Sequence, residues 1–505
     1  MSAEEQLRWK IAGGKIIEGL LLSGAVAVID AHWLVRLSER GDMLRRRQDL
    51  PSDAFLSVNE LKAAGTPHDG LPLAIVSAPW LTPRLPDPRG ATLRTVARAL
   101  KVLIDDGKRR GLKNGQRWGV IWDYVSLHQL PTLSWQHVGT YERTPGEKAL
   151  YERGLNAFGA LVSHQTITVL MVTKLPAGYP TGYNVEDGHV AEYHERGWTY
   201  AEASWAALIK RSGELIFDLG KMTGMQIDRA DLVKACCKER APPRLPEEVV
   251  AALEVKSFAD ADEDRPLVSR LYTEVFGRML GRVKILSYAN QRWGDAEAAQ
   301  VCRVLATGSL DKVEVLNLTG NRFGEAGLRQ LAATIESGAM PMLTTLLTDR
   351  PNHLDLRAAC EEHGVEASKE VPSTMASARA HTERARAAAS PSSGGGTTRS
   401  PPASTQSHRL MSTSVQGGRI VSSSGGALSE ISEMAEVSEM PTVAEEAEVD
   451  EAAAVPRRLD YGDSPISAGG RRGGGGGGRA AKRPPNILTT TTSGKCHVIS
   501  GVSVT

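Results

Sequence analysis

The chain has 505 residues, 41% hydrophobic and only 5% aromatic, with 50 glycines and 26 prolines. At about 150 residues per domain this is too long for one ordinary core, and an apolar share below the globular norm of about 45–50% implies that part of the chain stays unfolded. Lys and Arg total 60 against 59 for Asp and Glu, a formal charge of +1, which excludes a global field steering the protein to nucleic acid or an anionic membrane.

The five cysteines contain no CxxC pair; they fit neither a disulfide framework nor a zinc knuckle and read as reduced thiols. The apolar run Gly19 to Ile29 is bounded by Glu18 and Asp30, far short of the ~18 residues of a membrane span. Acidic residues near the N-terminus argue against an export signal. The expectation is a soluble cytoplasmic protein, with the nucleus as the alternative compartment.

In chain order, residues 1–65 form a helical or extended lead-in, and residues 66–235 alternate strand and helix. Leu71 to Ser77 (LPLAIVS) and Val120 to Val125 (VIWDYV) are short apolar runs that predict buried strands. Between them Leu93, Val96, Ala97, Leu100 and Leu103 recur at three- and four-residue spacing, which predicts an amphipathic helix. Glu147 to Leu161 predicts a helix, Ile167 to Thr173 a strand, Thr199 to Lys210 a helix and Glu214 to Leu219 a last strand. Alternation of this kind predicts an α/β unit with an open, mostly parallel sheet. A charged, proline-containing stretch, Lys238 to Glu248, lies in a linker over 236–265.

Residues 266–368 contain a gapless internal repeat of 30 residues, Val283 to Lys312 on Val313 to Met342. Val283/Val313, Leu286/Leu316, Arg292/Arg322, Trp293/Phe323, Gly294/Gly324 and Gly308/Gly338 match. Each copy is one strand plus one helix, which cannot close a core alone and must stack on a neighbour. A third copy starts at Leu343 and is expected to run out over Arg357 to Val365, with Leu267 to Leu280 capping one end or docking on the α/β unit. With Leu316-Asn317-Leu318, Asn321, Gly324 and Gly327, the second copy resembles the ribonuclease-inhibitor class of leucine-rich repeat. The resemblance implies that Asn321 turns inward to satisfy backbone groups at the bend after the strand.

Residues 369–505 are rich in Ser, Thr, Gly, Pro and Ala, with six glycines from Gly473 to Gly478, and bury too little apolar surface to offset the entropy of ordering. The expectation is a disordered tail. Leu428, Ile431, Met434, Val437 and Met440 alternate with glutamates, which reads more readily as a solvated acidic stretch than as a docking helix. Arg471 to Arg483 is basic and RGG-like, but it lacks the aromatics that stack bases, so nucleic acid is not the expected partner.

Three segments of the α/β unit carry a second resemblance. Ala74-Ile75-Val76-Ser77-Ala78-Pro79-Trp80, Trp122 to Gln129 (WDYVSLHQ) and Arg196 to Glu202 (RGWTYAE) are similar, in order and spacing, to the motifs of the heterokaryon-incompatibility (HET) domain, a relative of the Toll/interleukin-receptor (TIR) fold. The departures are Pro79, Leu81 for a glycine, Ser126-Leu127-His128 for Cys-Ile-Asn, and Ala201 for a glutamine. The resemblance implies Glu202 as the position of the carboxylate that some TIR-type domains need to hydrolyse NAD. An anion there would stabilise the oxocarbenium character of glycosidic cleavage, with Trp80 or Trp198 as a stacking face for nicotinamide. The competing structural role is that Trp198 anchors the core and Glu202 is a first-turn helix acid. Asp123, His128 and His164 read as hydrogen-bonded structural groups, and no metal site is expected. GxxxxGKS/T, HExxH and GxSxG motifs are absent, which withdraws support from triphosphatase, zinc-protease and α/β-hydrolase chemistry.

The resulting expectation is a signalling or scaffold protein without a resident cofactor, meeting a protein partner through its repeats, with self-association of the α/β unit as a further contact. The alternative is an NAD glycohydrolase, with NAD as its substrate and Glu202 as its essential carboxylate.

Overall fold

The computed structural model describes residues 2–64, 70–109, 117–130, 143–183, 185, 189–224, 226–237 and 240–370. From residue 371 on, the segment read as a disordered tail, with its acidic stripe and basic patch, lies outside the described residues.

The lead-in forms α1 (Ala3–Ile11), α2 (Lys15–Leu22), the short strand β1 (Ile29–Asp30), α3 (Ala31–Glu39) and α4 (Val58–Ala63). Ser2 and Ser57 open α1 and α4 with capping boxes, each hydroxyl accepting from the N–H of the glutamate three residues on. The alternating segment follows as β2 (Leu73–Ser77), α5 (Ala91–Arg109), β3 (Gly119–Trp122), the single turn α6 (Asp123–Ser126), α7 (Pro145–Ser163), β4 (Thr168–Met171), α8 (Gly197–Ile209), β5 (Ile216–Asp218) and α9 (Arg229–Cys236).

The sheet order is β1-β3-β2-β4-β5. Strands β2 to β5 are parallel, while β1 pairs antiparallel with β3 through Ile29 and Val120. The run VIWDYV, expected as strand throughout, leaves the sheet at Trp122: Asp123 turns the chain into α6, where its carboxylate accepts from the Tyr124 N–H at 2.7 Å. Side-chain alternation divides the sheet between two cores. Leu73, Ile75, Ile121 and Val169 pack towards α7 and α8, whereas Ala74, Val76, Val120 and Leu170 pack towards α3, α5 and α9. The result is a three-layer α/β/α arrangement.

Helices α10 (Pro246–Leu253) and α11 (Ala261–Leu280) lead into a second sheet of parallel strands β6 (Ile285–Ser287), β7 (Val315–Asn317), β8 (Thr345–Leu347) and β9 (Glu366–Ser368), with α12 (Asp295–Leu305), α13 (Glu325–Glu336) and α14 (Leu354–Glu362) between them. Ile285 pairs with Val315 and Val315 with Thr345, so the ladder advances by the 30-residue sequence period at each step. The third copy does not run out where the sequence suggested: its helix completes, and the chain returns as β9, pairing Glu366 with Thr345. Val365 and Cys360 are buried and close that end of the stack.

Helix α11 docks on α8. Its Tyr272 ring stacks on Trp205, with centroids 6.4 Å apart. One continuous apolar core runs from Ile75 and Val169 through Trp205 and Tyr272 to Leu316 and Leu346. Among the described residues no helix is long and apolar enough to cross a membrane, and Cys236, Cys237, Cys302 and Cys360 are free thiols.

Candidate functional site at the carboxyl ends of the parallel strands

Parallel α/β sheets gather polar groups where strands end and helices begin, at the point where the strand order reverses. Here β2 is flanked by β3 on one side and β4 on the other, and its last residue is Ser77. Ser77 is 1% exposed, and its hydroxyl donates to Glu202 Oε2 and lies 2.5 Å from the Tyr193 hydroxyl. Glu202, on α8, is 9% exposed. Tyr193 is held one turn before α8 by Thr199, whose hydroxyl donates to the Tyr193 carbonyl. Burial, reinforced by the Asp123 carboxylate and opposed by the Ser77 bond, pushes the Glu202 carboxyl up to about 8. It is therefore neutral at pH 7. Burial and the nearby Glu202 likewise drive the Tyr193 phenol well above its usual value.

Asp123, at the end of β3, accepts from the Trp80 indole N–H at 2.7 Å, and Trp80 lies edge-on to Tyr124 with centroids 5.6 Å apart. Burial raises the Asp123 carboxyl, against the bonds from Trp80 and Tyr124. Trp80, Asp123 and Glu202 are thus brought to one edge of the sheet.

Trp198 is half-buried and packs on the shared core. Burial raises the Asp264 carboxyl of α11, with the help of Asp260 and Glu263 and against the nearby Trp198 indole. Burial raises the phenol of Tyr151 on α7, Arg143 opposes the rise, and the charges of Asp123 and Asp264 add to it. The Arg143 guanidinium stacks 3.6 Å from the Tyr151 ring centroid.

The motif around Arg196 is positioned by the segment before α11. Gly197 N–H donates to the Ser257 carbonyl at 2.9 Å, and Ser257 N–H donates to the Glu195 carbonyl at 2.8 Å. Phe258 fills the space over Gly197 so closely that a Cβ there would lie 1.8 Å from its ring. Arg196 donates to the carbonyls of Ala191, His189 and Trp80, tying the preceding loop to the Trp80 turn.

Of the two histidines expected as hydrogen-bonded groups, His164 is one, whereas both ring nitrogens of His128 are buried without a hydrogen-bond partner. His164 is 4% exposed; its Nε2 pairs with the Gly13 carbonyl at 3.2 Å and its Nδ1 accepts from the Thr166 N–H at 3.2 Å. Burial and Lys210 lower its ring to about 3. His128 lies 3.7 Å from Glu147, and burial and Arg47 lower it. Among the described residues no three His, Cys, Asp or Glu side chains gather closely enough to hold a metal ion.

Sequence reading missed Ser77 as a partner of Glu202, and it missed Tyr193 altogether. Ser77 had a visible signal, as the one polar residue ending an apolar strand. Comparison with protein-family models, with curated proteins and with solved structures returned no match.

Proposed function

We propose that the chain is an interaction protein in which a HET/TIR-like α/β unit is continuous with a ribonuclease-inhibitor-type leucine-rich stack, and that the outer side of the stack's strands meets a protein partner inside the cell. The observation that carries this reading is the 30-residue ladder. It turns Leu286, Leu316 and Leu346 into the core; on the opposite side Ile285, Ser287, Asn317 and Thr319 contact solvent, while Val315, Thr345 and Leu347 are buried. The asparagine of the repeat supports it as well. Asn321 Nδ2 donates to the carbonyls of Tyr288 and Leu318 at 2.9 and 2.8 Å, while Oδ1 accepts from the Trp293 N–H at 3.1 Å. Repeats that close their bends this way present an extended, regular surface.

The strand order supports the HET/TIR likeness. Its parallel part runs β3-β2-β4-β5, the order of flavodoxin-like sheets. The test is affinity capture with the full chain and with the double variant Ser287→Arg, Asn317→Arg. Proteins captured by the wild type and lost from the variant support the reading. Identical capture by both, or none by either, refutes it.

A second reading, hydrolysis of NAD at the nicotinamide–ribose bond, is favoured by the placement of Glu202, Asp123 and Trp80 at one strand edge. Glu202 would stabilise positive charge only when ionised, so activity should rise with pH through about 8. Nicotinamide release by the full chain, abolished in Glu202→Gln, tests it; no release at pH 8.5 rejects it.

A further inference from the structure

Helix α5 buries one face and turns a line of cations outward. Arg94, Arg98, Lys101 and Lys108 are exposed and recur at spacings of four, three and seven, so they share one stripe of the helix. At a rise of 1.5 Å per residue the stripe is about 21 Å long. Helix α3 packs alongside, joined to it by the ion pair of Lys101 with Glu39 at 3.2 Å, and adds the exposed Arg36. The acids on these two helices are already engaged: Glu39 by Lys101, the half-buried Asp105 by Lys108, and the buried Asp106 by Arg109. Arg36 and Arg98 form no ion pair among the described residues. The repeat helices behave differently, since their exposed Arg303, Arg329 and Arg357 pair with Glu248, Asp355 and Glu361.

We propose that this outward face of α3 and α5 is the docking surface for an acidic segment of the same chain, residues 428–440. Between Ile420 and Glu445 the sequence holds five glutamates and neither lysine nor arginine. Glu430, Glu433, Glu436 and Glu439 would cover about 14 Å as helix and about 30 Å fully extended, a range that brackets the cationic stripe. The 57 residues from 371 to 427 can extend to about 190 Å, so reach does not limit the contact. One surface ion pair contributes little, but the tether makes the contact intramolecular, where several weak pairs act together at a high effective concentration. The apolar residues between the glutamates have Val35 and Val102, half-buried on the same two helices, to rest against. Neither helix exposes a Trp, Tyr or Phe, so a nucleic acid would find charge here without a platform for its bases. Sequence alone favours a solvated acidic stretch; the cationic face on the folded body gives that stretch a complement.

The experiment is zero-length carbodiimide crosslinking of the full chain, in an equal mixture of isotope-labelled and unlabelled molecules, with the joined peptides identified by mass spectrometry. The expected result in about 50 mM salt is Lys101 or Lys108 joined to the glutamates of 430–439 within one molecule, with a yield at least about fivefold lower in about 0.5 M salt, where exposed charges are screened. The double variant Arg36→Glu, Arg98→Glu keeps both lysines and breaks no ion pair, and it should lose the crosslink by a similar factor. Arg329→Glu, Arg357→Glu changes the net charge equally on the repeat helices and should crosslink like the wild type. Circular dichroism and the thermal midpoint establish that each double variant is folded, and Arg98→Glu alone stands in for the first if it is not. Absence of the crosslink, glutamates joined instead to lysines elsewhere, mixed-label pairs that reveal a second copy, a yield indifferent to salt, undiminished yield in the Arg36, Arg98 variant, or an equal loss in the repeat-helix variant each overturns the proposal.

Discussion

Replacing Glu202 by glutamine should make the protein more stable at neutral pH, by an amount that grows from acid to neutral. In the folded chain the Glu202 carboxyl keeps its proton up to about pH 8, against an ordinary value of 4.5. An acid raised in this way contributes no penalty below pH 4.5, where both states are protonated. As pH rises above 4.5 the unfolded chain releases the proton and the folded chain holds it, so stability falls by about 1.4 kcal/mol per pH unit until the folded group also ionises. By pH 7 the loss is on the order of 3 kcal/mol, an upper figure because local relaxation softens the burial that causes it. Glutamine keeps an oxygen to accept from Ser77, and its amide can take the place of the unengaged Oε1. Urea denaturation of wild type and Glu202→Gln at pH 4.5, 6 and 7.5 measures the difference. The two should be within about 0.5 kcal/mol at pH 4.5, with glutamine ahead by a margin that widens with pH. A constant difference, or a variant weaker than wild type at pH 7.5, refutes the claim that Glu202 is buried as a neutral acid.

The remaining expectations concern how the two halves are joined. The Arg240 guanidinium is buried and donates to the carbonyls of Ala207, Leu208 and Lys210 at the end of α8 while stacking on Tyr288. Arg240→Met should orphan those carbonyls and cost roughly 3 kcal/mol in urea denaturation. Asn321→Ala removes three hydrogen bonds at the repeat bend and should cost about 2–3 kcal/mol, seen as a lower denaturation midpoint. Gly197→Ala drives a methyl into Phe258 and should cost about 1–3 kcal/mol, with faster hydrogen exchange at Ser257 and Gly197, whose N–H groups form the bridge. His164 is held neutral down to about pH 3, so the unfolded chain binds a proton at pH 6.5 that the folded chain refuses. Its stabilising share should therefore be lost as pH falls below 6.5, and His164→Gln should flatten that part of the acid denaturation curve.

Much of this architecture is legible in the residues alone. Periodicity of three and four marks α5 and α7, and short apolar runs mark β2 and β4, because local hydrophobic pattern and secondary structure share a period. The 30-residue repeat is visible without structure, since each copy repeats the same burial problem; its register in the ladder follows directly. The candidate site is legible only in part. Glu202, Trp80 and Asp123 stand in motifs, and the strand ends bring them together.

Sequence by itself determined the alternation, the repeat period and the polar residues that end strands, all of which depend on neighbours within a few turns. Tertiary structure alone decided that β1 joins the sheet from the lead-in, that the third repeat closes with β9, and that Trp198 packs on the shared core. It also decided the protonation of Glu202, because desolvation is a property of everything packed around a group and not of the residues beside it in the chain. Helix α11, read from sequence as a cap or docking helix, docks on α8 by stacking Tyr272 on Trp205, so the packing that buries that helix reaches from the α/β unit into the repeats.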